Sequence, residues 1–243
     1  MKRVAIIQAR MGSTRLPGKV LKDIGGETML GRVVRRAQQA ATLDQVVIAT
    51  TAKASDEAIV AEAVRLGVPV FRGSEQDVLD RYYTTAAAVD AEVVVRITAD
   101  CPFIDPQLTD QIIHAFMLAK VDYASNALDR TYPRGTVPEV MRVNALARAW
   151  KQAEEHYQRV HVTPYIYHNP DKFVLLSFKG EGSHSDYRWS VDTPEDLEFA
   201  RSVYAALGNR DSFGWRDVLG VLNEQPKLIE INRHIKQKTL EEG

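Results

Sequence analysis

Short apolar runs alternate with amphipathic segments through the first half of the chain. The runs are rich in β-branched residues, as is typical of strands that are buried on both faces. They lie at 4–8, 45–50, 68–71 and 92–97. Apolar residues at helical spacing predict helices between and after them. These helices span 27–41, 55–66, 75–88 and 106–119. This alternation predicts βαβ units and a mostly parallel sheet covered by helices.

Local signals mark where several helices begin and end. Asp105 followed by Pro106 is typical of an N-cap and first helical position. Thr193 precedes Pro194 and Asp196 in a pattern close to a capping box. These residues predict sharp helix starts at 106 and 194.

The alternation of predicted strands and helices becomes less regular after about residue 120. Pro and Gly concentrate at 129–138, which predicts a loop or lid. The later strands are predicted at 121–125, 139–143, 172–178 and 187–191, and the later helices at 144–156 and 194–207. We therefore expect one α/β domain over 1–243, with a three-layer, mostly parallel, Rossmann-like sheet. An excursion near 125–185 and a peripheral polar tail at 224–243 complete the prediction.

The composition is that of an ordinary soluble globular protein, with 45% hydrophobic and 26% charged residues in 243. The single cysteine, Cys101, excludes an intrachain disulfide and a Cys-based zinc site, and favours a reducing cytoplasm. Gln8 and Arg10 interrupt the first apolar run before it reaches signal-peptide length. No stretch approaches 18 apolar residues, so no membrane span is expected.

The charge is unevenly distributed. The net charge is −1, but residues 1–36 contain nine Lys/Arg and only two acids, a net of +7, so the remaining 207 residues sum to −8. No acid precedes Asp23. A segment of this charge favours an anionic ligand. Arg32, Arg35 and Arg36 either extend that basic surface or form a solvated helix face.

The densest basic segment directly follows the first predicted strand, at 8–19 (QARMGSTRLPGK). Glycines let backbone amides approach an anion, and arginine and lysine neutralise phosphate oxygens. The segment therefore suits a polyphosphate; the alternative is a solvated basic loop. It is not a Walker A loop, because five residues separate Gly12 from Gly18 and Val20 replaces the required hydroxyl. The chain also has no G-x-G-x-x-G.

Two carboxylates follow predicted strands elsewhere. Asp100 comes after the run at 92–97 and Asp192 after that at 187–191. Ligands of open parallel sheets bind at the carboxyl ends of strands, and paired carboxylates suit Mg²⁺. Taken alone, each Asp is as well explained as an N-cap or turn residue. Cys101 has no histidine nearby in sequence, which favours a small packed residue over a nucleophile.

The basic segment, extended to QARMGSTRLPGKVL (8–21), resembles the amino-terminal signature of the cytidylyltransferases that make CMP-activated sugar acids. The resemblance is strongest to the group called spore coat polysaccharide biosynthesis protein F (SpsF). It is weaker to 3-deoxy-manno-octulosonate and acylneuraminate cytidylyltransferases. It spans about residues 1–207 and continues through FRGSEQDVLDRYY (71–83), RITADCPFIDP (96–106), YPRG (132–135), HVTPYI (161–166) and RWSVDTPEDLE (188–198).

The resemblance implies a nucleotide-diphospho-sugar transferase fold and Mg²⁺-dependent transfer of CMP from CTP to a sugar acid, with release of pyrophosphate. By matching position, Asp100 and Asp192 would bind the metal, and Arg10, Lys19 and Asp100 would be catalytic. The implied nucleotide-binding residues are Gln8, Ala9, Arg10, Gly12, Ser13, Arg15, Lys19, Arg72, Ser74, Asp77 and Arg81. The implied acceptor-binding residues are Tyr132, Arg134, Glu139, His161 and Thr163. The excursion at 125–185 would carry acceptor binding and dimerisation, so a homodimer is expected.

Val137, Pro138 and Val160 depart from the family pattern, in which acids are usual in these segments. The departures remove polarity on the acceptor side and leave two other functions open. One is a glycosyltransferase that consumes a nucleotide sugar, although the chain has no Asp-x-Asp. The other is a non-catalytic nucleotide-binding protein.

Overall fold

The computed structural model describes residues 1–237, and its centre is a seven-stranded sheet. The strands, in chain order, are β1 (Arg3–Gln8), β2 (Asp23–Ile24), β3 (Glu27–Thr28), β4 (Gln45–Thr51), β5 (Val70–Gly73), β6 (Val93–Thr98), β7 (Tyr123–Ser125), β8 (Glu139–Arg142) and β9 (Leu175–Ser177). The sheet order is β5-β4-β1-β6-β8-β7-β9, and β2 and β3 form a separate hairpin. Within the seven-stranded sheet, as described over residues 1–237, β8 is antiparallel to β6 and β7 and the other pairings are parallel.

Helices cover both faces of the sheet. They are α1 (Met29–Ala37), α2 (Glu57–Leu66), α3 (Val78–Ala88), α4 (Pro106–Ala119), α5 (Val143–Gln152), α6 (His156–His161), α7 (Pro164–Tyr167), α8 (Pro194–Ala206), α9 (Trp215–Glu224) and α10 (Lys227–Glu230). Short 3₁₀ turns lie at Lys19–Leu21 and Ala54–Asp56. Within residues 1–237 we find no helix with the length and apolar character needed to cross a membrane.

The alternation of side chains along each strand produces two cores. Ala5 and Ile7 of β1 face a core formed with α1, α2, α4 and α8, whereas Val4 and Ile6 face a second core formed with α3, α5 and α7. The sheet is thus buried on both sides, which explains the continuous apolar runs. The predicted three-layer, mostly parallel α/β fold is confirmed.

The strand predicted at 187–191 is wrong. This segment makes only an isolated bridge, between Arg188 and Arg134, and its amides reach different partners. The amide of Trp189 donates to Arg134 O (2.8 Å), and that of Val191 to Asp100 O (2.8 Å). Trp189 and Val191 are buried core residues, and their alternation with polar neighbours produced the strand-like pattern.

Residues 125–185, where the excursion is expected, supply β8 and β9 to the main sheet. The described part of the tail expected at 224–243 contacts the rest of the domain through Asn232. Asn232 is buried and its amide nitrogen donates to Arg188 O and Asp196 Oδ1, both at 2.9 Å. Residues 238–243 of the predicted tail lie outside the described residues.

Two arginines of α1 are buried and hold loops together. Arg36 donates to the backbone oxygens of Ile104, Asp211 and Phe213. Arg32 donates to four groups, Ile24 O, Gly25 O, Asn209 O and the Asp211 carboxylate. Neither residue belongs to a ligand-facing surface or a solvated face, so both interpretations offered by the sequence are wrong for them. Part of the basic excess of residues 1–36 is therefore structural.

We expect Arg36→Ala to lower the free energy of unfolding by about 3 kcal/mol, because the backbone carbonyls of Ile104, Asp211 and Phe213 lose a charged donor. The matched control is Arg35→Ala in the same helix. Arg35 is 51% exposed, so its loss should cost less than about 1 kcal/mol. Urea unfolding of both variants measures the difference. Equal losses would show that the Arg36 contacts contribute little.

Candidate active site

The basic loop between β1 and the first 3₁₀ turn is folded around Met11. Met11 O accepts the amides of Ser13 (2.9 Å) and Gly18 (3.2 Å), and its own amide donates to Asp56 Oδ1 (2.8 Å). Gly18 has φ +65°, a left-handed conformation that favours glycine. Asp56 is buried and also accepts from the Thr51 hydroxyl. The loop is thus held against the end of β4.

This folding leaves backbone donors available. Within residues 1–237, the amides of Gly12, Thr14 and Arg15 have no hydrogen-bond acceptor, unlike those of Met11 and Ser13. Unpaired amides beside basic side chains form an anion-binding concavity. The loop has the donors that the sequence predicts for a polyphosphate.

Lys19 connects the loop to both carboxylates. Its ammonium donates to Asp100 Oδ2 (3.0 Å), Asp192 Oδ1 (2.9 Å) and Val191 O (2.8 Å). Burial opposes charging of Lys19, but the negative charges of Asp100 and Asp192 outweigh it and raise the pKa of its ammonium. Burial likewise opposes charging of Asp100, but Lys19 lowers the pKa of that carboxyl below its ordinary value. The three groups therefore form one charged cluster.

Asp192 is positioned by a second, deeper network. Its other oxygen, Oδ2, accepts from Arg188 Nη2 (2.7 Å), while Arg15 Nη2 lies 3.1 Å from Oδ1. Asp196 is fully buried, accepts from Arg188 and Asn232, and binds the amide of Asp192 (2.9 Å). Asp196, which belongs to the predicted capping box of α8, thus also orients the loop that carries Asp192.

Cys101 is buried beside Asp100. Burial, reinforced by the charge of Asp100, raises the pKa of its thiol. A thiol of this kind is a poor nucleophile, which supports the packing role expected from the sequence.

Two clefts meet at these carboxylates. The loop cleft, about 750 Å³, is lined by the basic loop together with Arg81 and Arg96. The arginine cleft, about 780 Å³, is lined by Arg130, Arg134 and Glu139 among others. The residues common to both are Gln8, Arg15, Arg96, Thr98, Asp100, His161 and Asp192. A group bound in one cleft therefore lies next to a group bound in the other.

Buried polar atoms without partners concentrate in these clefts. Six such side-chain atoms occur within residues 1–237, and four belong to cleft residues: Gln8 Oε1, Arg81 Nε, Arg96 Nε and Arg130 Nη1. Unpaired buried polar groups are costly and uncommon in folded proteins. Their concentration here indicates that a polar ligand completes the site.

Most of the sequence-predicted residues line the clefts. Those in the loop cleft are Gln8, Ala9, Arg10, Gly12, Ser13, Arg15, Lys19, Arg81, Asp100 and Asp192. Those in the arginine cleft are Arg134, Glu139, His161 and Thr163, with Asp100 and Asp192 shared. The structure thus brings the loop, the carboxylates and most of the acceptor residues together.

Four predicted site residues do not line either cleft. Arg72 pairs with Glu57 outside the loop cleft. Asp77 caps α3 and pairs with Arg159, and Ser74 caps the amide of Asp77.

The fourth, Tyr132, is 6% exposed and packs against Phe178 and Trp215. The side chains of Arg72, Ser74, Asp77 and Tyr132 thus contact other protein groups and line neither cleft, and their assignment to ligand binding stays a prediction.

Glu139 lines the arginine cleft but is engaged by protein groups. It pairs with Arg96, directly opposite in the β6–β8 register, and accepts from the hydroxyls of Tyr123 and Thr163, both at 2.6 Å. Glu139 thus positions the floor of the cleft instead of presenting a free carboxylate.

A strained turn lies between two of the acceptor residues. Val162 has φ +75°, and the amide of Thr163 donates to His161 O (2.9 Å), which closes a γ-turn. Positive φ is rare for a β-branched residue. The turn directs Thr163 onto Glu139; His161 lines both clefts.

Sequence reasoning missed Asp56, Arg96, Arg130 and Arg188. Arg96 had a usable signal, because it is a charged residue inside an otherwise apolar strand. Arg188 is the first residue of the RWSVDTPEDLE motif (188–198), but the motif gives no role for it. Asp56 had no signal, since its pattern of an acid at a helix start also fits a solvated cap.

Comparison with known proteins shows which proteins this chain resembles. A protein 38% identical over 230 residues, covering 91% of this chain and 94% of its own length, is the spore coat polysaccharide biosynthesis protein SpsF of Bacillus subtilis strain 168. A 3-deoxy-manno-octulosonate cytidylyltransferase of Mesorhizobium japonicum is 32% identical over 245 residues, covering 84% of this chain and 99% of its own length. The structure of a cytidylyltransferase from Leptospira borgpetersenii superposes with a TM-score of 0.91 at 32% identity, covering 98% of this chain and 100% of that one.

This chain is a nucleotidyltransferase, as its three-layer fold, its basic loop and the proteins similar to it show. A family model described as Cytidylyltransferase matches residues 4–235, and the chain belongs to that family. The resemblance stated from the sequence motifs is confirmed.

We expect Asp56→Ala to loosen the basic loop, because the amide of Met11 loses its acceptor. Hydrogen exchange at Met11 should accelerate about tenfold or more. Asp110→Ala is the matched control, since Asp110 accepts the amides of Ala41 and Thr42 in a different loop. Amide exchange followed by NMR measures both. Unchanged exchange at Met11 would show that other contacts hold the loop.

Proposed function

We propose that the chain transfers CMP from CTP to a hydroxyl group of a sugar acid and releases pyrophosphate, producing a CMP-sugar for a surface polysaccharide. Membership of the cytidylyltransferase family supports the nucleotide half of this reaction. The names of the relatives support the rest, since one acts on 3-deoxy-manno-octulosonate and another belongs to spore coat polysaccharide biosynthesis. We further propose that the enzyme is cytoplasmic and acts as a homodimer.

One observation carries the proposal: a basic loop with unpaired amides faces two carboxylates where two clefts meet. The loop cleft suits a triphosphate, because Arg10, Arg15 and Lys19 line it beside free backbone donors. The arginine cleft suits the acceptor, because it reaches the same carboxylates from the other side. The shared residues mark where the two substrates would react.

The reaction needs positioning and charge neutralisation more than covalent catalysis. The acceptor hydroxyl attacks the α-phosphorus of CTP in line, and the bond to pyrophosphate breaks. Arg10, Arg15 and Lys19 stabilise the negative charge that grows on the leaving group. Lys19 exchanges its carboxylate partners for phosphate oxygens when the cleft is filled.

The two carboxylates fit Mg²⁺ by their chemistry, since it prefers oxygen ligands. An ammonium group already lies within 3.0 Å of both, so a cation between them is compatible with their spacing. Within residues 1–237, no cluster of three or more His, Cys, Asp or Glu is suited to hold a metal. Mg²⁺ typically takes one or two carboxylates and completes its shell with water and substrate phosphates. Asp100 and Asp192 would hold it, with the nucleotide.

Mg²⁺ bound there would neutralise phosphate charge and lower the pKa of the acceptor hydroxyl. Asp100 and Asp192 would orient it, and Arg188 would keep Asp192 in place.

Two observations bear on the alternative functions. A glycosyltransferase that consumes a nucleotide sugar binds a diphosphate. The cationic side chains of Arg10, Arg15 and Lys19 in the loop cleft match the larger negative charge of a triphosphate better. A non-catalytic binding protein has no need for both carboxylates at the junction of the clefts. Val137 and Val160, which lack the acids usual in the family, each line one cleft and do not alter the carboxylates.

Pyrophosphate release tests the proposal. CTP, UTP, ATP and GTP are offered with Mg²⁺ and a panel of sugar acids, sugar phosphates and neutral sugars. We expect release with CTP and a sugar acid. If none of the four nucleotides gives pyrophosphate release, the binding-protein alternative is favoured. Cleavage of a nucleotide sugar would favour the glycosyltransferase.

Lys19→Ala and Asp100→Asn should each lower turnover by about 100-fold or more, as for loss of an electrostatic group at the reacting centre. Lys22→Ala is the matched control, because Lys22 lies three residues away and does not line the loop cleft. Steady-state pyrophosphate release measures all three. Near-normal turnover in the first two variants would contradict the assignment.

Metal binding should depend on the nucleotide, because the protein supplies two carboxylates that Lys19 already occupies. Using Mn²⁺ as a paramagnetic probe, we expect weak binding to the free chain and tighter binding with CTP. Lys19→Ala should raise Mn²⁺ affinity of the free chain about tenfold, since one ion-pair partner of both carboxylates is removed. Tight binding that is unaffected by CTP or by this variant would contradict the site.

A further inference from the structure

The short helix α6 contributes side chains to both clefts. It contains six residues, and helices of this length are marginal in isolation. His156, Val160 and His161 line the loop cleft, and His161 also lines the arginine cleft. The position of these side chains therefore depends on the contacts that α6 makes with its neighbours.

Arg159 joins α6 to two other helices. Its Nε donates to Asp77 Oδ2 (3.0 Å), and its Nη2 pairs with the same carboxylate. Its Nη1 donates to the backbone oxygen of Trp150 in the last turn of α5 (2.6 Å). The two charged side chains are only 21% and 31% exposed, so water screens the ion pair incompletely. One planar guanidinium group thus ties α6 to the start of α3 and to the end of α5.

The groups that bind this guanidinium are themselves fixed. Asp77 is the N-cap of α3, and its Oδ1 accepts the amide of Asp80 (2.8 Å). Trp150 Nε1 donates to Asp80 Oδ1 (2.9 Å). The ring of Trp150 also stacks on that of Tyr83, with centroids 4.3 Å apart. The ends of α3 and α5 therefore form one support to which α6 is attached.

The ion pair connects two walls of the loop cleft. Gln76 and Val78, the chain neighbours of Asp77, line the cleft beside the start of α3. Val160, the chain neighbour of Arg159, lines it from α6. Neither charged residue lines a cleft itself. The pair thus sets the spacing of the two walls without occupying the space between them.

The strained turn after α6 needs support at both ends. Val162 is fully buried and has φ +75°, a conformation that is rare for a β-branched residue. Such strain persists only where surrounding contacts over-determine the backbone. After the turn, the Thr163 hydroxyl donates to Glu139 (2.6 Å), and before it, Arg159 holds α6. His161 lies between these two anchors, so its place where the clefts meet depends on both.

We propose that Arg159 is a positioning residue for the transfer reaction: its ion pair with Asp77 holds α6 so that His161 stays where the two clefts meet. This inference rests on the proposed function, since it concerns how the acceptor is placed beside the nucleotide. The basic loop is held by other contacts, those of Asp56 and Lys19. Loss of Arg159 should therefore affect the acceptor and turnover more than nucleotide binding.

The first test separates the two substrates. Arg159→Gln removes the charge of the side chain, and pyrophosphate release should show kcat/KM for the sugar acid lowered about tenfold or more. The Kd for CTP, measured by calorimetry, should change by less than about threefold, because the basic loop shares no partner with Arg159. Arg148→Gln is the matched control, because Arg148 is exposed, donates to a backbone carbonyl and lines neither cleft. It should leave both values unchanged.

A double-mutant cycle shows whether Arg159 acts through His161. His161→Ala alone should lower kcat/KM for the acceptor. Adding Arg159→Gln to that variant should lower it by less than about threefold further, because the residue that is positioned is already absent. A general loss of stability would instead give the same additional loss in both backgrounds. Arg159→Lys, which keeps the charge without the fork, should lose less than Arg159→Gln.

The NMR signals of the His161 ring give a readout that needs no turnover. Their absence from the spectrum of His161→Ala assigns them. We expect them to shift or broaden in Arg159→Gln, because α6 is no longer held against α3, and to keep their positions in Arg148→Gln.

Each outcome has one meaning. Normal kcat/KM in Arg159→Gln or in His161→Ala, additive losses in the cycle, or unchanged His161 signals overturn the inference. A CTP affinity that falls as much as kcat/KM also overturns it, since Arg159 would then support the nucleotide site. If Arg159→Gln does not fold, Arg159→Lys undergoes the same tests, with smaller losses expected. If pyrophosphate release fails with every acceptor, the proposed function fails, and the His161 signals still decide whether Arg159 positions α6.

Discussion

Two carboxylates at one edge of the sheet repel each other, and the structure balances that repulsion with one ammonium group. Lys19 lies 3.0 Å from Asp100 and 2.9 Å from Asp192, although 81 and 173 residues separate them in sequence. Because Lys19 ends the basic loop, the contact that neutralises the carboxylates also holds the loop over the sheet edge. Arg188 binds Asp192 from the other side. The loop, the end of β6 and the start of α8 thus depend on one another, and the two clefts exist because these three segments meet.

The basic amino-terminal segment has two separate purposes in the structure. Arg10, Arg15 and Lys19 lie in the loop cleft, where their charge faces the space available to a ligand. Arg32 and Arg36 are buried thirteen or more residues further along the chain and donate mainly to backbone carbonyls. The difference follows from their surroundings: the loop arginines line a cleft, whereas α1 packs against chain turns whose carbonyls accept from its arginines. Net charge therefore overstates the anion-binding surface by counting structural arginines.

The features that depend on neighbouring residues in the chain could be predicted from the sequence. Apolar runs predicted the central strands, and Asp105 with Pro106 predicted the start of α4 at the residue where the structure has it. It failed where tertiary contacts decide. Trp189 and Val191 alternate like a strand, yet their amides bind two different segments. Position in a motif likewise did not reveal that Tyr132 is buried among aromatic rings, because burial depends on residues such as Trp215 that are far away in sequence.

The polar atoms that lack partners link the fold to its ligand. Among residues 1–237, Arg81, Arg96 and Arg130 each bury a nitrogen without an acceptor, which costs folding free energy. An anion that accepts from them removes this penalty only in the folded state, so binding and stability are coupled. An apolar core in the same place would be more stable but would select nothing. The groups that cost folding free energy are therefore groups that a bound anion would satisfy.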